Sequence, residues 1–302
     1  RLRQSHFRQH QFEELRLQAS MALDKAKANG RNNYFYHNAK LDSDALALAQ
    51  LKNDLKDAIN NDKLSIVFQP KISLKEKKVV GAEALVCWDH PTLGIITQKE
   101  LLLLAEQTGL ILDIGDWIIT NACSACDHWV SQGYDIPVAM SAAVVQFSSG
   151  KIIDSVERNL MFTTLNGDHL ELQVAEELFS DNSEDLVSTL TILKAMGITI
   201  VIDNFGTGYS NLSNLKKYDI NALKIDYSFI KNINDDYDNA IVRAIINIAK
   251  SLDIKVIADG IETQEIIDTL TDMGSDIGQG CFWSKPLSEE AFINFLDADS
   301  NS

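Results

Sequence analysis

The chain has 302 residues, 45% of them apolar, enough for one large α/β barrel with an appendage or for two ordinary domains. A formal net charge of -16, with arginines only at Arg1, Arg3, Arg8, Arg16, Arg31, Arg158 and Arg243, excludes a general grip on nucleic acid, which needs a basic face to displace counterions. No apolar run approaches the roughly 18 to 20 residues of a membrane span, and the polar, basic start lacks the apolar stretch of a signal peptide. Because that start is Arg1 rather than Met, a fragment is expected, whose upstream part carries a sensor or membrane anchor. Cys87, Cys123, Cys126 and Cys281 are too few for a disulfide framework in so long a chain, so a reducing, cytoplasmic setting is expected.

In chain order, 12–29 and 43–60 read as polar-faced helices separated by the aromatic run Asn33-Tyr34-Phe35-Tyr36. From about residue 65, short β-branched runs alternate with longer amphipathic ones, the pattern of βα units around a parallel sheet. Strands are expected at 65–69, 79–86, 136–140, 169–175, 198–204, 222–227, 255–261 and 276–279, a number that suits a barrel. Helices are expected at 99–107, 114–132, 183–195, 238–252, 264–273 and 289–296. The pair Cys123 and Cys126, with His128 close by, invites a zinc or redox reading. Helical apolar spacing from Trp117 to Trp129 and the lack of a second Cys pair favour two small buried side chains instead.

The C-terminal ends of parallel barrel strands converge on one face, where polar residues closing an apolar strand become candidates for chemistry. Glu83, Gln173, Asp203 with Asn204, Lys224, Asp259 and Gln279 all close such strands. Charges in apolar strands are costly unless paired or bound to metal, so the rim suggests a site for a metal or an anionic ligand. A purely structural pairing of Lys224 with Asp203 or Asp259 gives the same pattern. The glycines of Phe205-Gly206-Thr207-Gly208 mark a sharp turn or a close approach to a ligand directly after Asp203 and Asn204.

Several motifs occur together: Phe68-Gln69-Pro70, Gly81-Ala82-Glu83-Ala84-Leu85 with Trp88 and His90-Pro91, Asp203 through Ser210, Leu223-Lys224-Ile225-Asp226, Ala258 through Glu262, and Gln279-Gly280 through Pro286. In this order and spacing, over about 64–296, the chain resembles the EAL domain family of cyclic-di-GMP phosphodiesterases, which implies a (β/α)8 TIM-like barrel. Upstream, 19–34 resembles the last helix and strand of a GGDEF domain. The organisation implied is a GGDEF-like remnant at 1–40, a helical linker at 41–63 and the EAL-like barrel at 64–298.

That resemblance implies hydrolysis of cyclic-di-GMP by water held between two Mg2+ or Mn2+ ions, with a lysine orienting the water. It assigns Glu83, Asp203 and Asp259 to metal binding and Lys224 to water positioning. Glu176 steadies the loop after the paired acidic positions, and Gln69, Glu83, Leu85, Asp226, Gln279 and Pro286 line the ligand. Glu83, Asp203, Lys224 and Gln279 are retained. Ser141 stands where the family has Asn, Gln173 where it has Glu, Asn204 where it has the second Asp, and Asp259 where it has the longer Glu. Cys87 replaces a phosphate-binding arginine and removes its bidentate fork.

Four altered positions in a two-cation site imply a catalytically inactive regulatory module, acting through a protein partner or weak cyclic-di-GMP binding, with no cofactor expected. The alternative is a residual phosphodiesterase with Mg2+ or Mn2+ at Glu83, Asp203 and Asp259, yielding linear pGpG. A third reading is a scaffold. Family members also dimerise through helices beside the Phe205-Gly206 loop, so a homodimer is among the expected assemblies.

Overall fold

The computed structural model describes residues 39–61, 63–180, 184–208, 215 and 217–300. Compact contacts divide the chain into Arg1–Asp57 and Ala58–Ser302. Of the first unit the structure describes part of helix α1 (Ala39–Asn60), which matches the helix expected at 43–60. The expected helix at 12–29 and the GGDEF-like segment lie outside the described residues.

The second unit is built on strands β1 (Leu64–Ser73), β2 (Val79–His90), β3 (Gly94–Ile96), β4 (Val138–Ala142), β5 (Leu170–Ala175), β6 (Thr199–Phe205), β7 (Ala222–Ile225), β8 (Lys255–Ala258) and β9 (Ile277–Gly278). They follow the order β1-β9-β8-β7-β6-β5-β4-β2-β3, and β1 also pairs with β2, so eight strands close into a barrel and β3 hangs on the edge of β2. Outside run α2 (Gln98–Thr108), α3 (Ile111–Ser131), α4 (Val144–Ser148), α5 (Lys151–Phe162), α6 (Glu184–Ala195), α7 (Tyr227–Lys231), α8 (Asp236–Ser251), α9 (Gln264–Met273) and α10 (Glu289–Ser300). The barrel expected from the strand count is therefore present. Among the described residues no helix is long and apolar enough to cross a membrane.

Three details depart from the expectation of uniform βα units. β1 runs antiparallel to both β2 and β9. The chain between β1 and β2 is only 74–78, whereas a parallel pair needs a crossover of a dozen or more residues. Helix α5 was not expected; its buried face sets Ile152 and Val156 beside Ser155 and Asn159, and Met161 and Phe162 are exposed. Tyr227, expected to end a strand, opens α7 instead: the Asp226 carboxylate accepts the Ser228 N–H and caps the turn.

Helix ends elsewhere follow local chemistry. Thr97 N–H and Oγ donate to Glu100 Oε2 at the start of α2, at 2.9 and 2.8 Å, and Gly109 closes it at φ 75°. Trp129 of α3 packs edge-on against Phe68 of β1, centroids 4.8 Å apart, and against Phe292 of α10 at 4.9 Å, which fixes these helices on the outer wall. Cys123 and Cys126 are buried on the inner face of α3, and burial pushes both thiols up to about 12. His128 faces outward and meets Glu289 at 2.7 Å.

Inside the barrel, Val201, Ala222 and Ile257 form an apolar plug with Ile277 packed against it. These side chains come from β6 to β9. Facing them, β1, β2 and β5 turn polar residues inward, and those residues lead up to the rim.

Candidate functional site

Alternation along each strand decides which residues reach the interior. On β2, Glu83 is followed at two-residue steps by Leu85 and Cys87; on β5, Glu171 by Gln173; on β1, Gln69 by Lys71. Register then brings them together, with Gln69 opposite Glu83 and Ser141 beside Gln173. Lys224 reaches from β7 across the mouth.

The Lys224 ammonium is the hub. It donates to Glu83 Oε1 and Oε2 at 2.9 and 2.8 Å and to Gln173 Oε1 at 3.3 Å. It also lies 3.3 Å from Asp259 Oδ2 and 3.7 Å from Asp203 Oδ1. Gln279 Nε2 donates to Glu83 Oε2 at 2.5 Å and to Gln69 Oε1 at 3.0 Å, while Gln279 Oε1 is buried without a hydrogen-bond partner.

One ammonium thus serves three carboxylates, and their proton affinities separate accordingly. Burial works against ionised Glu83, but Lys224 bonds both its oxygens and holds it below the usual carboxylate range. Burial raises Asp203 and Asp259; Lys224 offsets this only in part, and the Glu83 charge pushes both further up. Burial would lower Lys224, yet Asp259, Glu83 and Asp203 together hold it well above the ordinary lysine value. The pairing expected as the structural alternative is therefore real in geometry, with Glu83 as the dominant partner.

Gln173, Asn204 and Ser141 each have side-chain hydrogen-bond partners. Gln173 Nε2 donates to Glu171 Oε1 at 3.2 Å. Asn204, at φ 53°, donates its backbone N–H to Asp203 Oδ1 at 2.9 Å and its side-chain amide to Oδ2 at 3.3 Å. Ser141 Oγ accepts from Gln98 Nε2 at 3.0 Å. Cys87 is half-buried above Leu85, its thiol raised by burial. Both rim amides point N–H groups at carboxylates, which is something a carboxylate in their place cannot do.

Glu176 is buried beneath the loop after β6. Its Oε2 accepts the Gly206 and Gly208 N–H groups at 3.0 and 3.3 Å, and a Cβ on Gly208 would come within 3.1 Å of its carboxyl carbon. Asp226 is half-buried at the α7 cap, and Pro286 is exposed beyond Ser284, whose carbonyl accepts from Gln69 Nε2 at 3.2 Å. Three participants were not foreseen: Lys71, Glu171 and Gln98. The first two lie one alternation step below Gln69 and Gln173 on the same inward faces, and that period-two pattern is the signal that could have found them.

The EAL domain profile matches residues 52–286 of this chain. A bifunctional diguanylate cyclase/cyclic di-GMP phosphodiesterase, MucR of Pseudomonas aeruginosa, is 36% identical over 282 residues, covering 93% of this chain and 41% of that protein. The cyclic di-GMP phosphodiesterase NbdA of the same organism is 34% identical over 290 residues, 95% of this chain and 37% of its own length. The chain therefore spans about two-fifths of the curated relatives it matches. Among solved structures, a MucR phosphodiesterase in complex with c-di-GMP superposes with TM-score 0.77 at 37% identity, covering 80% of this chain and 99% of that one. With the matched profile and the closed barrel in agreement, the chain belongs to the EAL domain family of cyclic-di-GMP signalling.

Proposed function

We propose that this domain is a regulatory member of the family, which binds cyclic-di-GMP weakly or acts through a protein partner and does not hydrolyse the dinucleotide. The observation that carries this reading is the orientation of the Gln173 and Asn204 amides, whose N–H groups are committed to Glu171 and Asp203. A pair of hard divalent cations needs several anionic oxygens in fixed geometry. Here Ser141, Gln173 and Asn204 supply neutral groups, and the remaining carboxylates share the Lys224 charge. This donor set does not fit two cations. With Cys87 in place of a guanidinium, phosphate also lacks a bidentate partner, worth about 1.5 to 3 kcal/mol.

A residual activity with one cation at Glu83, Asp203 and Asp259 is the second reading, favoured by the buried Gln279 Oε1, an oxygen donor beside Glu83 that has no partner. The two are separated by incubating the protein with cyclic-di-GMP and Mg2+ or Mn2+ and resolving the products. No linear pGpG above background is expected, with a calorimetric dissociation constant no tighter than about micromolar, or roughly −8 kcal/mol. Product that disappears in Glu83→Ala favours the second reading. Residues 1–40 and 41–63 are proposed as a GGDEF-like remnant and linker, supported by the two-activity name of MucR.

A further inference from the structure

Two buried charges lie one step beneath the rim, and one of them, Glu171, is the acceptor that the proposed function already rests on. Lys71 is 2% exposed and Glu171 8% exposed, and their Nζ and Oε1 atoms are 2.5 Å apart. Gly81 lies opposite Lys71 on β2, where a Cβ would sit 3.1 Å from the Pro137 carbonyl oxygen and in ordinary contact, 3.8 Å, with the lysine Cδ. Such a pair is costly to bury and does not by itself stabilise a barrel.

Its bonding continues upward. Glu171 Oε1 also accepts from Gln173 Nε2, Gln173 Oε1 accepts from Lys224, and Lys224 holds Glu83. Glu83 accepts from Gln279, Gln279 donates to Gln69, and Gln69 donates to the Ser284 carbonyl. Every link has a fixed direction. The ammonium of Lys224 can only donate, so Gln173 must present its oxygen there and its NH2 to Glu171. Glu171 Oε1 accepts from both Lys71 Nζ and Gln173 Nε2. An amide at 173 is thus the group that joins two ion pairs without placing like charges in contact.

We propose that Lys71 and Glu171 are positioning residues for the rim: by fixing the Gln173 amide they hold Lys224 among its carboxylates and, through Gln279 and Gln69, set the loop at Ser284. A pair that served only to fill the barrel floor would influence its neighbours and no group further along the chain.

The test is side-chain amide exchange in ligand-free protein labelled with 15N-glutamine, so its outcome is separate from whether cyclic-di-GMP binds. In the parent, the amide protons of Gln173, Gln279 and Gln69 should exchange at least about tenfold more slowly than those of an exposed glutamine. Gln173→Met leaves both ion pairs in place and cuts the chain between them; exchange at Gln279 and Gln69 should rise at least about fivefold. Lys71→Met with Glu171→Met should have the same effect on Gln173 and Gln279, and Lys71→Arg should keep all three within about twofold. Unchanged exchange at Gln279 in a cooperatively folded Gln173→Met protein overturns the proposal. If the double variant does not fold, Gln173→Met and Lys71→Arg decide it alone.

Discussion

The two halves of the barrel interior are held together by different physics. Towards β6 to β9, Val201, Ala222, Ile257 and Ile277 fill the space with apolar atoms, each contributing in proportion to the area it buries. Towards β1, β2 and β5, Lys71, Glu171, Gln173, Glu83 and Gln69 fill it with groups whose value depends on a partner. The apolar half tolerates loss locally. The polar half transmits it, because removing one member strands the next without a donor or acceptor.

The largest effect should come from Lys224→Met. Three carboxylates would lose their shared cation, and breaking a buried pair by removing one partner costs about 3 to 5 kcal/mol. Chemical denaturation at neutral pH checks this, and added acid should recover stability as the stranded carboxylates take up protons. A loss under about 1 kcal/mol would show the cluster to be solvated instead. In the apolar half, Ile257→Ala should cost about 2 to 5 kcal/mol by leaving a cavity, with little dependence on pH. A pH-dependent loss there would erase the distinction between the two halves.

A smaller and more selective contrast lies within the rim. Asp203 and Asp259 have folded pKa values raised above their unfolded ones, so each favours the protonated form and opposes folding at neutral pH. Asp203→Asn with Asp259→Asn should therefore raise the melting temperature at pH 7, and the gain should shrink as pH falls through the raised values. Glu83 is lowered, so its contribution is present above its unfolded pKa and is lost as pH falls through the folded one. Glu83→Gln should destabilise at pH 7, and its cost should fade in acid. Melting temperature against pH for the three proteins reads both signs; parallel curves would contradict the assignment.

Much of this was legible before the structure. Helix 264–273 was bounded correctly because Thr263 and Gly274 mark its ends chemically, one as a hydroxyl acceptor and the other at φ 86°. Glu83, Lys224 and Gln279 could be named because a charged or amide side chain closing an apolar strand has few places to go but the rim. Lys71 and Glu171 escaped notice because they sit a step below the strand ends, where a charge reads as noise. The reversed direction of β1 also escaped, since apolar alternation is the same in either direction and only the short 74–78 connection reveals it. The orientation of the amides could not be read at all: it depends on which partners Gln173 and Asn204 meet in space.

That orientation is the central claim, and reversing it tests the claim most directly. Gln173→Glu with Asn204→Asp places carboxylate oxygens where N–H groups now meet Glu171 and Asp203 at 3.2 and 3.3 Å. Two carboxylates about 5 Å apart repel by roughly 3 kcal/mol at an effective dielectric of about 20, a figure that proton uptake and screening reduce. Melting in chelator at neutral pH should be several degrees lower for the double variant than for the parent. Millimolar Mg2+ should restore part of that loss by binding only the folded state, while the parent barely responds. Equal melting temperatures in chelator, or a gain of several degrees in the parent on adding Mg2+, would contradict an amide-neutralised rim.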